Sequence, residues 1–203
     1  GRGWHATTGT APRTGEGSAT VEPIREPKDI KAIKGALADA PRDFALFVFG
    51  IHVGLRGGDL LAIRWSDVIS PDGRFRKRIE ITETKTKKRR IIALQDNARN
   101  ALEKWRSRTP PEADQFVFPG PDGNRLTIQR LHQLVNQWAR LAGVNGHFGS
   151  HTLRKTYGYH LHRAGVGIET LMKVFGHSSP SITLRYIGIE QKEIDEANLK
   201  LNL

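Results

Sequence analysis

Residues 176–186 read GHSSPSITLRY, a glycine and a histidine at one end and a tyrosine nine residues after that histidine at the other. The Gly-His pair follows a helical stretch over residues 168–175. A short helix over 181–185 is expected to carry Tyr186. Upstream, His151-Thr152-Leu153-Arg154 opens a further helical stretch, and a spacing of three puts His151 and Arg154 on one face. Farther upstream, Gly54-Leu55-Arg56-Gly57-Gly58-Asp59 breaks one helix and restarts another. Two arginines, two histidines and a tyrosine are the groups that cleavage of a phosphodiester by a protein hydroxyl requires. Singly, each motif is a surface feature of a basic protein; their order and spacing together carry the reading.

The chain has 203 residues, a formal net charge of +11 and a sequence pI near 10.3. Length suits one domain, or one domain and a tail. The charge points to a polyanionic partner, most simply nucleic acid. There is no cysteine, which excludes disulfide and thiolate chemistry and fits a reducing compartment. No apolar run is long enough to span a membrane, and the polar N-terminus has no signal-peptide core. A soluble, intracellular protein is therefore expected, without a membrane partner.

Residues 1–24, rich in Gly, Thr, Pro and Ser, read as a mobile arm or linker in which Trp4 is either an anchor or simply exposed. A folded unit is expected over residues 25–203. Ile30, Ile33, Ala36 and Leu37 share a helical face, closed by Pro41. Residues 44–55 are apolar nearly all round and read as a buried helix. The period then changes. Residues 67–69, 75–82 and 89–94 read as short strands, with residues 84–88 as the turn of a hairpin. Asp96 reads as the cap of a helix reaching about Arg106, and helices follow over 127–142, 151–163 and 190–199. The expected class is α+β: mainly helical with a small antiparallel hairpin. Basic residues crowd that hairpin at Arg74, Arg76, Lys77, Arg78, Lys87, Lys88, Arg89 and Arg90. They are either a solvated edge that resists aggregation or, as the net charge favours, a surface laid along a phosphate backbone.

The eight histidines form no H-E-x-x-H, no carboxylate pair is clustered, and no phosphate loop of the Walker type is present. No metal site or cofactor is expected. Phosphodiester cleavage would then need a side-chain nucleophile. Arg56 and Arg154 can each donate paired N–H bonds to the non-bridging oxygens, although Asp59 lies near enough in sequence to make Arg56 a structural ion pair. His151 and His177 are candidates for a further donor or for handling the nucleophile's proton. Lys85, at the hairpin tip, could protonate the leaving alkoxide if its basic neighbours lower its pKa. Among three tyrosines, Tyr157 and Tyr159 read as packing residues and Tyr186 as the nucleophile.

Together GLRGGDLLAIRWSDV (54–68), TKTKKRRIIAL (84–94), HTLRKTYG (151–158) and GHSSPSITLRY (176–186) resemble the catalytic domain of the tyrosine recombinases, the phage-type integrase family. The resemblance covers residues 25–203. It implies that Arg56, Lys85, His151, Arg154 and His177 assist while Tyr186 attacks, leaving a 3′-phosphotyrosyl link and a free 5′-hydroxyl. Lys87 and Lys88 share the turn with Lys85. Gly57-Gly58 and Phe175 depart mildly from the family's usual residues. Family members carry an N-terminal helical clamp that residues 1–24 cannot form, so either a catalytic fragment, the favoured reading, or a short recombinase is expected.

The resemblance also implies site-specific strand exchange, with a homotetramer on DNA assembled by exchange of the tail, residues 190–203, and a monomer in free solution. The rival with the same chemistry is a type IB topoisomerase, which relaxes supercoils without a partner duplex. The rival of another class is a non-catalytic DNA-binding module, against which stands the filling of every catalytic position.

Overall fold

The most apolar stretch of the chain supplies the centre of the fold. It lies in α2 (Pro41–Val53), where Leu46, Phe47, Phe49 and Val53 are buried. Pro41 occupies the first turn, where a missing N–H breaks no helical bond. Pro41 therefore opens α2; the preceding α1 (Pro27–Ala36) already ends at Ala36. The computed structural model describes residues 20–108 and 110–201. Residues 1–19 of the expected arm, with Trp4, and Leu203 of the tail lie outside them.

Five helices make the body. α2 packs on α5 (Asp96–Arg106) and α7 (Thr152–Arg163), and α1 packs on α6 (Ile128–Leu141). Gln95 is the cap residue of α5 and Asp96 its first helical residue, so the expected cap moves by one position. Asp96 there faces the positive end of the helix dipole. Thr127 caps α6 by accepting from the Arg130 amide at 3.0 Å. The shared core runs from Ile33 through Phe47, Phe49 and Phe118 to Trp138. None of the described helices is long and apolar enough to cross a membrane.

α2 ends at Gly54, which is left-handed with φ 59°. A Cβ there would lie 2.2 Å from the Tyr157 ring, so glycine is required twice over. The chain restarts as α3 (Gly57–Leu61), with Arg56 as its cap residue.

Residues 67–68 are helical rather than extended, in α4 (Trp65–Val68). The Asp67 carboxylate accepts from the Arg64 amide at 2.8 Å, a local bond that favours a helical turn over a strand. Of the expected strand only Ile69 pairs, with Phe75. The hairpin itself is β1 (Arg78–Thr82) against β2 (Arg89–Ala93), antiparallel, with Arg78 opposite Ala93 and Thr82 opposite Arg89. Alternation turns Ile79 and Ile92 inward and leaves Arg78 and Arg89 at the surface.

A second, smaller cluster joins α8 (Ile168–Phe175) to α9 (Pro180–Ile187) through Leu171, Phe175 and Ile187. Both helices end in left-handed glycines, Gly176 and Gly188. α10 (Gln191–Leu199) follows. Residues 20–24, read as part of the arm, are anchored: the Ile24 amide donates to Thr156 Oγ1 at 2.9 Å, and Glu22 and His147 exchange bonds of 2.7 and 2.8 Å. One buried isoleucine among charged residues leaves no periodic signal.

The smaller cluster packs against α7 at Gly158, where a Cβ would lie 2.6 Å from both Ile187 and Phe175. Gly158→Ala is expected to lower the unfolding free energy by about 1–3 kcal/mol, the usual cost of overpacking. A urea titration with an unchanged midpoint would show that α9 yields freely.

Candidate active site

The seam between the two clusters brings together side chains that are distant in sequence. His151 is the cap residue of α7, and Arg154 follows one turn later. Arg154 is 3% exposed. It donates to the Gly54 carbonyl at 2.8 Å and to the Phe175 carbonyl at 3.4 Å, and its guanidinium lies 4.8 Å from the centre of the Phe175 ring. Among the described residues no carboxylate pairs with it. A buried cation held only by carbonyl dipoles is incompletely neutralised and favours an anion beside it.

Tyr186 lies in the last turn of α9. Its hydroxyl is 3.3 Å from His151 Nδ1. Its ring meets His177 edge-on at 5.1 Å between centroids and Phe175 at 5.3 Å, and Lys155 Nζ lies 5.0 Å from its centre. His177 follows the left-handed Gly176, stacks on Phe175 and shares a 3.0 Å hydrogen bond between Nδ1 and Thr183 Oγ1. That contact leaves Nε2 free of Thr183.

Arg56 reaches the same seam from the start of α3. Its partner is Glu83, at 3.0 Å, and not Asp59. The Asp59 carboxylate instead accepts from the Thr84 amide and hydroxyl at 3.0 and 2.7 Å. Lys85 is exposed at the hairpin tip, and its charge contributes to the shift of His151. Lys87, in the same turn, has φ 58°.

Of the expected DNA-facing row, Arg74, Arg76, Lys77, Arg78, Lys87, Lys88 and Arg89 are exposed, Arg89 against Glu80. Arg90 differs. It turns inward to the Val53 and Gly54 carbonyls, both at 3.3 Å, and to Glu83 at 3.5 Å, because the pleat places it on the face opposite Arg89. Tyr157 packs under Gly54, and Tyr159 donates to Glu193 at 3.5 Å. Glu83, Arg90, Lys155 and Thr183 were not singled out from sequence for these roles. Only tertiary contacts reveal the part each plays.

Burial holds His151 below its ordinary value of 6.5, and the charges of Lys155, Arg154, Arg56 and Lys85 push it the same way. His177 is lowered by burial and then by Arg154 and Arg56. Burial raises the Tyr186 phenol, with Arg154 and Arg56 opposing. A neutral phenol thus faces a neutral imidazole able to take its proton.

A family model described as the phage integrase family matches residues 26–193. A probable integrase/recombinase YoeC of Bacillus subtilis (strain 168) is 34% identical over 174 residues, which is 84% of this chain and 91% of that protein. Tyrosine recombinase XerC of Thermodesulfovibrio yellowstonii is 27% identical over 163 residues, covering 76% of this chain and 52% of the relative, so the chain spans about half of that protein's length. Among solved structures, XerA recombinase superposes with a TM-score of 0.73 at 19% identity, covering 94% of this chain and 67% of the other. XerH bound to palindromic difH substrate, a post-cleavage complex, gives 0.68 at 20% identity, covering 89% and 53%. At those identities the likeness is one of fold.

Because folding lowers both histidine pKa values, the unfolded chain binds those protons first. Their contribution to stability is complete above 6.5 and is lost as pH falls through that value toward the folded-state pKa values. Urea midpoints should drop on acidification from about pH 7.5 to about pH 5.5, and drop less in a His151→Gln/His177→Gln variant. Glu83, whose carboxyl is held below 4.5, enters only at lower pH. Equal drops in both proteins would show that these rings titrate as they do in the unfolded chain.

Proposed function

The chain belongs to the phage integrase family of tyrosine-type site-specific recombinases, and from that premise we propose that it breaks and rejoins duplex DNA through a covalent bond to Tyr186. The observation that carries the reading is the meeting of the Tyr186 hydroxyl with His151 Nδ1 at 3.3 Å beside a buried Arg154 that donates to the Gly54 and Phe175 carbonyls and, among the described residues, pairs with no carboxylate.

In the proposed step a scissile phosphate occupies the space between Arg154 and Arg56. Both arginines donate to its non-bridging oxygens and stabilise the charge that grows in the transition state. The Tyr186 oxygen attacks phosphorus as its proton passes to His151 Nδ1. The bond to the 5′ oxygen breaks, and that oxygen takes a proton from the Lys85 ammonium. His177, neutral and held through Thr183, adds a donor to the phosphate. The products are a 3′-phosphotyrosyl ester and a free 5′-hydroxyl. The ester keeps the energy of the bond it replaces, so attack by a 5′-hydroxyl of another strand reseals DNA. The step as written draws on no metal or high-energy cofactor.

The exposed row from Arg74 to Arg89 is proposed to lie along the phosphate backbone, which makes binding fall steeply with salt. Such a protein would work in the cytoplasm at the nucleoid. The tail is proposed to change partners. α10 rests on its own domain, where Arg25 bonds Glu190 at 2.9 Å, yet Ile194, Leu199 and Leu201 remain exposed. A monomer in free solution would release this apolar side to a neighbour, and head-to-tail contacts of that kind close into a four-membered ring.

Incubation of the full-length protein with fragmented host DNA, followed by sequencing of covalently bound fragments, tests the reading. Tyr186→Phe is expected to abolish adducts while DNA affinity, measured by anisotropy, stays within about threefold, since a hydroxyl that meets phosphate mainly in the transition state adds little ground-state binding. Adducts from the Phe variant would remove Tyr186 from the role.

Deletion of residues 190–203 is expected to spare binding and single cleavage but to cut completed strand exchange at least about tenfold, the loss of an interface that the ring requires. Exchange at the wild-type rate would leave the tail no part in assembly.

A further inference from the structure

Glu83 follows β1 at the start of the hairpin turn, and its side chain is only 6% exposed. Burying a carboxylate is costly unless donors surround it. Here Oε2 accepts from Arg56 Nη1 at 3.0 Å and from Thr86 Oγ1 at 2.6 Å, and Oε1 from Arg90 Nη1 at 3.5 Å. Burial works against ionisation, but Thr86, Arg56 and Arg90 outweigh it and hold the carboxyl below its ordinary value.

The backbone of the same residue governs the turn that carries Lys85. Its amide donates to the Lys88 carbonyl, and its carbonyl accepts from the Lys87 amide, both at 2.9 Å. Among the described residues the Arg56 guanidinium has no other hydrogen-bond partner. One acidic residue thus sets the direction of one anion-binding arginine and the position of the lysine turn. Through Arg90 it also reaches the Gly54 carbonyl that holds Arg154.

We propose that Glu83 is a positioning residue for DNA cleavage, aiming Arg56 at the scissile phosphate and tying the Lys85 turn to that arginine. This rests on the cleavage reading above. Glu83 does not touch the substrate: its carboxylate is occupied by its three donors, and the Arg56 N–H groups it leaves free face the phosphate. A guanidinium not so restrained would sample rotamers that miss the phosphate, and a misplacement near 1 Å in such a site costs about a hundredfold in rate.

The test uses the full-length protein and a nicked suicide duplex carrying a site recovered by adduct capture. Glu83→Gln keeps the shape and removes the charge. It is expected to slow single-turnover adduct formation about ten- to hundredfold while DNA affinity changes less than about twofold, because ground-state binding rests mainly on the exposed basic row. In an Arg56→Ala background the same change should add less than about twofold, since residues acting through one another are not additive. A methylphosphonate at the scissile position removes the negative charge that Arg56 meets. The defects of Arg56→Ala and Glu83→Gln should therefore both shrink on it, whereas a defect of folding would persist.

Full multiplicative slowing in the double variant, or an undiminished Glu83→Gln defect on the methylphosphonate, would overturn the proposal and make Glu83 a structural ion pair. Undiminished cleavage by Glu83→Gln would overturn it alone, with the cleavage reading intact. Absence of adducts from the wild type would overturn both. Should Glu83→Gln fail to fold, Thr86→Val removes one donor from the same carboxylate. It should slow cleavage several-fold with binding unchanged, and wild-type cleavage by it would count against the proposal.

Discussion

The carbonyl of Gly54 is where the core and the site are joined. It accepts from Arg154 at 2.8 Å and from Arg90 at 3.3 Å. It is available because α2 stops there in a left-handed turn, which exposes a helix-terminal carbonyl that no later amide of the same helix can fill. The most buried helix therefore ends as an acceptor for two cations. Tyr157 closes the underside so tightly that no side chain fits at position 54. The large hydrophobic core can thus fix the position of a charged group through a carbonyl, with no carboxylate paired to it among the described residues.

Charge economy follows the same pattern elsewhere in the seam. Arg154, Arg56, Arg90 and Lys155 converge, and Glu83 is the acid that meets two of them. Desolvation first, then the charges of Arg154 and Arg56 at both rings and of Lys155 at His151, hold His151 and His177 below their ordinary value. The same two arginines also oppose the rise that burial imposes on Tyr186. In the proposed cleavage, positive charge here serves two ends at once: it favours an entering phosphate, and it keeps imidazoles in the form that can accept a proton.

The helix carrying Tyr186 is secured from both sides by elements at the ends of the described chain. Lys155, whose Nζ lies near the Tyr186 ring, donates to the Val21 carbonyl at 3.0 Å. Arg25 donates to the Gly188 carbonyl and to Glu190, each at 2.9 Å, just past the tyrosine. α9 itself is short and contributes little to the main core, since its buried residues belong to the smaller cluster. Its placement depends on these polar ties as much as on apolar packing.

What the amino-acid sequence determined by itself was local. Apolar residues marked α2, α6 and α8; the Gly54 break between two helices was legible; and the spacing of His151 to Arg154 and of His177 to Tyr186 is short enough to be read directly. Such features arise from backbone sterics and capping within a few residues. Tertiary structure decided the rest. The choice of Glu83 over Asp59 as the partner of Arg56 depends on a contact across 27 positions in the chain, made when the hairpin folds onto α3. The inward turn of Arg90 depends on which face of the pleat meets α2. Asp67 took a local capping bond that won over an extended pattern. Ile24 found its place on α7 only because the Thr156 hydroxyl lies 132 positions away in sequence but within a hydrogen bond in space. A one-dimensional pattern records which residues can be buried or charged; which buried charge neutralises which is settled only when distant segments exclude water from the same volume.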